Sequence, residues 1–205
     1  MTGKIIVGAL AIFCALTVIV AIGNFFASGG LVRAYQSGSS ANQLTSIDFG
    51  LFDKNGSGRS YITQGYGHTS FSYEYPNGWH DGIDIAAAYG APIYSPGGGT
   101  VLATGNQDDY CPQRGFGKYV AVDDAVNHLI LWFAHLGTIS VSPGSVVKKG
   151  TLIGSVGATG FETGTHLHFS IFDENGFSMT PRNGCGPDPT GHDLDPLSYL
   201  GTTYK

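Results

Sequence analysis

Charge is scarce in this sequence. Only 12% of its 205 residues are Asp, Glu, Lys or Arg, about half the usual share, and that excludes a coiled coil or a charged helical bundle. Cations are scarcer still: ten Lys and Arg stand against fifteen Asp and Glu, a formal charge of −5. From residue 61 onward the balance is six against thirteen. A chain so poor in Lys and Arg cannot displace the counterions of a phosphate backbone, so a nucleic-acid partner is excluded. Three familiar catalytic signatures are also missing: the His-Glu-x-x-His helix, the Gly-x-Ser-x-Gly elbow and the Gly-Lys-Ser/Thr phosphate loop. Cysteine is limited to Cys14, Cys111 and Cys185.

Glycine, by contrast, is abundant at 32 residues, and aromatics reach 12%, the composition of a chain that folds with many turns. Residues 5–23, IIVGALAIFCALTVIVAIG, carry no charge, and as a helix they would span roughly 28 Å, close to the ~30 Å hydrocarbon core of a bilayer. Lys4 precedes this run and Arg33 is the first basic residue after it. That order places the amino terminus in the cytoplasm and the rest outside. Residues 1–27 are therefore expected to be a transmembrane anchor. A cleaved signal ending at Ala27-Ser28-Gly29 is the alternative, although signal cores usually run to only about 7–15 residues. Either way the remainder is exported, anchored in the envelope or secreted. Outside the apolar run Cys111 and Cys185 are the only cysteines, and in an oxidising compartment they are expected to form a disulfide. Residues 28–50, rich in Ser, Gly and Asn, read as a flexible tether, and residues 51–205 as one domain.

Within that domain, short runs of β-branched and aromatic residues alternate with glycine-bearing turns. Strands are expected at residues 60–64, 82–86, 92–95, 100–103, 118–122, 128–135, 151–156 and 165–172. Eight short strands with almost no helical pattern predict an all-β fold, an antiparallel sandwich or barrel-like sheet. One terminal helix is expected after Asp195, with Pro196 at its first position. Asp53 to Gly58 resembles the start of a calcium loop, but its twelfth position is Gln64, which offers no bidentate carboxylate.

Seven histidines in so uncharged a chain invite a search for metal spacing. In His80-Asp81-Gly82-Ile83-Asp84, the separation of four on extended chain puts His80 and Asp84 on one face, and Gly82 lets backbone pack close. Alone, such a pair is commonly structural. In Thr165-His166-Leu167-His168-Phe169-Ser170-Ile171-Phe172, strict alternation turns Leu167, Phe169 and Ile171 to a core and leaves His166, His168 and Ser170 together on the other face. His135 closes the apolar run from Leu129, and alternation places it with Leu129, Leu131 and Phe133. Two imidazoles and one carboxylate suit zinc with a fourth position left for water, which is the pattern of a catalytic site. A further histidine can carry the proton. Spacing alone leaves open which of His166 and His168 is the ligand. His68, His128 and His192 have no partner at useful spacing.

These runs occur in order over residues 60–172: ITQGYG, WHDGIDIAA, GAPIYSPGGGTVLATG, GFGKYVAV, FAHLG, GSVVKKGTLIGSVGATG and GTHLHFSIF. Together they resemble the lysostaphin-type, LytM-like zinc peptidases that cut peptide bridges of bacterial peptidoglycan. The resemblance implies Zn²⁺ held by His80, Asp84 and His168, with His135 and His166 as catalytic histidines. It also implies an endopeptidase acting on stem peptides or cross-bridges. The alternative within the same family is an inactive module that binds peptidoglycan or activates an amidase. Phe133 and Thr165 depart from the common pattern without removing a ligand. Some relatives place a tyrosine over the reacting carbonyl, a role open here to Tyr73 or Tyr75. The segments around Cys111 and Cys185 match nothing in the family pattern and are expected to elaborate the groove.

Overall fold

A computed structural model describes residues 60–199, apart from Pro76 and Asn183. The apolar run 5–23, the tether 28–50 and the Asp53 to Gly58 loop lie outside the described residues. Among the described residues, no helix is long and apolar enough to cross a membrane.

The described residues form thirteen strands: β1 (Tyr61–Gln64), β2 (Ile83–Ala86), β3 (Pro92–Tyr94), β4 (Gly99–Asn106), β5 (Lys118–Asp124), β6 (Leu129–Ala134), β7 (Leu136–Ile139), β8 (Val146–Val147), β9 (Leu152–Val156), β10 (His166–Asp173), β11 (Ser178–Arg182), β12 (Gly186–Thr190) and β13 (Asp193–Leu194). All eight expected strands are among them, and the all-β antiparallel expectation holds. The principal sheet runs β1-β2-β10-β6-β5-β4-β8, with β13 added beside β10. A second sheet, β3-β9-β7, and a hairpin, β11-β12, complete the architecture. The expected terminal helix is only a 3₁₀ turn, Pro196–Ser198, where the Asp195 carboxylate accepts from the Leu197 amide at 2.9 Å.

Alternation decides which face each strand buries. On one face Ile83, Ile85, Leu131, Phe133, Leu167, Phe169 and Ile171 meet Ile93, Leu136, Ile153 and Val156 of the second sheet in one core. Phe133, one of the departures from the family pattern, is fully buried and packs on Phe169 with ring centroids 5.2 Å apart. The other face is smaller. Tyr119, Ala121, Ile130, Trp132, Ala134 and Phe172 pack there with Phe116, Phe177 and Met179. Polar residues share this second face with them: Asp84, between Ile83 and Ile85, and His166, His168 and Ser170 on β10.

His135 departs from the expected alternation. Strand β6 ends at Ala134, and His135 takes a left-handed φ of +57° before β7 begins. That single rotation swings its ring out of the series Leu129, Leu131, Phe133 and onto the second face.

Candidate metal centre

The centre is assembled by neighbouring strands. In the β2–β10 ladder Asp84 lies opposite His168 and Ala86 opposite His166. On the other side of β10, Ala134 lies opposite His168 and delivers His135, the next residue, to the same place. His80 precedes β2, anchored by a two-way backbone bridge to Gly67 at 2.8 and 3.0 Å. Gly82 makes the approach possible, because a Cβ there would come within 2.5 Å of the Phe169 carbonyl oxygen and 2.6 Å of Ser170 Oγ.

Three ligand atoms converge. His80 Nε2 lies 3.1 Å from His168 Nδ1 and 3.3 Å from Asp84 Oδ1, and His168 Nδ1 lies 3.0 Å from Asp84 Oδ1. Ligands at about 2.0–2.1 Å from a tetrahedral zinc would be separated by roughly 3.3 Å, so the triangle has the size of one face of such a site. All three residues are buried.

The histidine tautomers support a cation at that point. His80 Nδ1 donates to the Gly65 carbonyl at 2.7 Å, which leaves the Nε2 lone pair pointing inward. His168 Nε2 lies 2.8 Å from Ser170 Oγ and 3.4 Å from Asp81 Oδ1. A carboxylate can only accept, so the proton belongs on Nε2, and Nδ1 faces Asp84. Three acceptors pressed together in a dry place require a positive charge among them. Without a metal that charge is a proton. Burial pulls the His168 pKa down, but hydrogen bonds to Asp81 and Asp84 outweigh burial and raise it to about 9. For Asp84, burial is likewise outweighed, by hydrogen bonds to His168 and His80, and its pKa lies far below the ordinary carboxylate range.

Two further imidazoles stand beside this triangle. His135 and His166 have ring centroids 4.7 Å apart. His135 Nδ1 donates to the Thr159 carbonyl and His166 Nδ1 to the Gly164 carbonyl, both at 2.7 Å, which leaves Nε2 of each ring as the nitrogen not engaged by those carbonyls. Burial, reinforced by His166 and His168, depresses the His135 pKa to about 3, and this imidazole is neutral in ordinary conditions. His166 Nε2 lies 3.5 Å from Asp84 Oδ1. The geometry thus separates two positions that spacing could not: His168 closes the ligand triangle, and His166 stands next to His135.

All five residues singled out in the sequence therefore meet at one place. Asp84, His135, His166 and His168 line an open cleft together with Tyr75, Trp79, Arg114, Phe116, Phe161 and Glu162, among others. Of the two candidate tyrosines, Tyr75 stacks on His80 at 5.1 Å, while Tyr73 is 76% exposed. The Tyr75 hydroxyl accepts a hydrogen bond from Gln64 Nε2, and burial, with the Asp84 charge, raises its pKa to about 12. It is a hydrogen-bond donor at the cleft. Sequence reasoning missed Asp81 and Ser170 as partners of His168. Ser170 was legible, since alternation puts it on that face. Asp81 was not, because a bend at Asp81 and Gly82 interrupts the period of two.

The profile of peptidase family M23 matches residues 78–181, half of the chain. The chain belongs to this family. It is 36% identical over 96 residues to the peptidoglycan DD-endopeptidase ShyB of Vibrio cholerae, covering 47% of this chain and 21% of that protein. It is 32% identical over 126 residues to the DD-carboxypeptidase/endopeptidase Mpg of Neisseria meningitidis serogroup B, covering 62% of this chain and 27% of that one. The chain thus spans about a quarter of the length of these relatives. Among solved structures, the catalytic domain of the antimicrobial peptidase lysostaphin from Staphylococcus simulans superposes with a TM-score of 0.53 at 25% identity, over 69% of this chain and 92% of that domain. The residues of the ligand triangle and both flanking histidines fall inside the matched segment. A metal suits a peptidase family member whose buried acceptors have this spacing.

Proposed function

We propose that this protein is a zinc endopeptidase that hydrolyses peptide bonds in the stem peptides or cross-bridges of peptidoglycan. The observation that carries the reading is the triangle of inward-facing acceptors at 3.0–3.3 Å with the imidazoles of His135 and His166 beside it. His80 Nε2, Asp84 Oδ1 and His168 Nδ1 would hold the ion, and Zn²⁺ is the metal their chemistry suits. A bound zinc supplies a Lewis acid that polarises the scissile carbonyl and acidifies water.

The remaining work falls to the chain. His135 and His166 each turn Nε2 to the site, where it would take the proton from the attacking water and return it to the leaving amine, a role worth about 10²–10⁴-fold in rate. Their Nδ1–H bonds to the Thr159 and Gly164 carbonyls keep both rings in the accepting tautomer. The Tyr75 hydroxyl, held protonated, can donate to the carbonyl oxygen as it gains charge. The cleft beside these groups is open to solvent, as a site for a polymeric substrate must be. Residues 5–23 would anchor the domain on the outer side of a membrane, a setting consistent with an oxidised cysteine pair.

The test uses the full chain, metal analysis and a peptidoglycan digest followed by mass spectrometry. One zinc per chain and peptides with new amino termini are expected. His168→Ala should lose zinc and hydrolysis together, whereas His135→Ala should keep zinc and lose at least about 100-fold in rate. Wild-type protein that binds no zinc and releases no peptide would instead mark an inactive binding module.

A further inference from the structure

His135 is the least conventional member of the site. It has a left-handed backbone, φ +57°, a conformation that persists in a non-glycine residue only where the surroundings impose it. Its ring is aimed by one hydrogen bond, Nδ1–H to the Thr159 carbonyl at 2.7 Å. What aims that carbonyl lies on the far side of the same peptide unit. The carbonyl of Thr159 and the amide of Gly160 belong to one plane, and in a trans peptide they point in opposite directions. The Gly160 N–H is gripped by both carboxylate oxygens of Asp108, at 3.2 and 3.1 Å.

We propose that Asp108 is a positioning residue for His135, acting through the Thr159–Gly160 peptide: carboxylate to N–H, C=O to imidazole Nδ1–H. The proposal rests on the reading of His135 as the proton carrier and adds the residue that sets its tautomer. Fixing the N–H of this peptide aims the C=O, and a carboxylate at one end polarises the amide so that its oxygen accepts more strongly.

The surroundings fit this role. Asp108 is itself held, since its Oδ1 also accepts from the Gln113 amide at 3.0 Å and its own amide donates to Asn106 Oδ1 at 3.2 Å. The Thr159–Gly160 peptide is pressed on residue 117, where a Cβ would come within 2.3 Å of the Thr159 carbonyl carbon, and Gly117 at φ +58° provides the room. The backbone of His135 is tied to the same loop, its amide donating to the Phe116 carbonyl at 3.0 Å. The Phe116 amide in turn donates to Oε1 of buried Gln107 at 2.6 Å. The loop of residues 107–117 therefore grips His135 twice, by its backbone through Phe116 and by its ring through Asp108. None of these residues belongs to the ligand triangle.

The test compares Asp108→Ala and Asp108→Asn with wild type in the full-length protein by three readouts: ¹⁵N shifts of the His135 imidazole in metal-free protein, zinc content, and kcat and KM on a peptidoglycan peptide. Wild type should show the Nδ1–H tautomer. Asp108→Ala should show a mixture of tautomers and a kcat about 10-fold lower, in the range for loss of an outer hydrogen-bond partner, with KM and zinc content within about twofold of wild type. Asp108→Asn, which keeps an oxygen acceptor, should recover much of the loss even where the alanine variant folds poorly. A wild-type tautomer and wild-type kcat in Asp108→Ala would overturn the proposal, as would a loss of zinc matching the loss of kcat. If wild type cleaves nothing while the tautomer still responds to Asp108, the endopeptidase reading fails and the positioning role stands.

Discussion

The imidazoles of the centre follow one rule: each sets one ring nitrogen on an outer hydrogen-bond partner and turns the other to the inner side. For His168 this rule has a consequence in pH. In the metal-free protein Asp81 and Asp84 keep its pKa at about 9, against about 6.5 in an unfolded chain. A base whose folded pKa is raised contributes stability that is full below the unfolded value and is lost as pH climbs through the folded one. Metal-free protein should therefore lose stability as pH rises from about 6.5 to about 9. Zinc affinity should move the other way, because the ion must displace that proton. Near neutrality, binding should release a proton and tighten up to about tenfold per pH unit until about pH 9. Calorimetric titration in buffers of different ionisation enthalpy measures the released proton directly. A pH-independent affinity across this window would show that His168 carries no proton to displace.

At the scale of the elements, the period of two made most of the sheet and its site face readable. Ile83 and Ile85 bracket Asp84, and Leu167, Phe169 and Ile171 interleave with His166, His168 and Ser170. What escaped were places where the period breaks. His135 reaches the site through one left-handed residue, which leaves no trace in a hydrophobic pattern. Asp81 reaches His168 through a bend. Strands β11 and β12 carry Pro181, Pro187 and Pro189, residues that argue against a strand in sequence and are tolerated in a two-stranded hairpin whose outer groups need no ladder partner. Strand β8 is only two residues long. The side of β2 that meets β10 depends on Gly82. In Gly82→Ala the new methyl would collide with the Phe169 carbonyl and with Ser170 Oγ, neither of which can withdraw without disturbing the β10 ladder or the His168 hydrogen bond. Loss of about 1–3 kcal/mol of stability is expected from such overpacking, together with weaker zinc binding. Chemical denaturation with and without chelator separates the two effects. An alanine variant with unchanged midpoint and unchanged zinc affinity would show that this approach has room for a methyl group.

Across the whole molecule, the expected cysteine pair is a bond between Cys111 and Cys185, joining residues 74 apart with Cα atoms 4.9 Å from each other. It ties the loop after β4 to the β11–β12 hairpin, a two-stranded element of a kind with little stability of its own. Gln107 reinforces the junction, donating from Nε2 to the Pro187 carbonyl at 2.6 Å and to Asp188 Oδ1 at 2.7 Å. Closing a span of this length restricts the unfolded chain by roughly 4–5 kcal/mol in the chain-entropy model. The whole of that figure appears only when global unfolding is the first event. Once the bond is cut, the hairpin retains the side-chain contacts of its loop but no covalent hold, whereas β5, β6 and β10 remain locked in a core of fully buried side chains. The hairpin should then open before the sheet does, as a separate unit of low stability. Reduction should accelerate amide exchange and proteolysis at residues 178–190 while exchange in β6 and β10 keeps its native protection. Of the three proposed metal ligands, Asp84 and His168 lie on β2 and β10 and His80 just precedes β2, all outside the hairpin, so metal content should survive reduction. Uniformly faster exchange through the central sheet would show that the bond stabilises the domain as one cooperative unit.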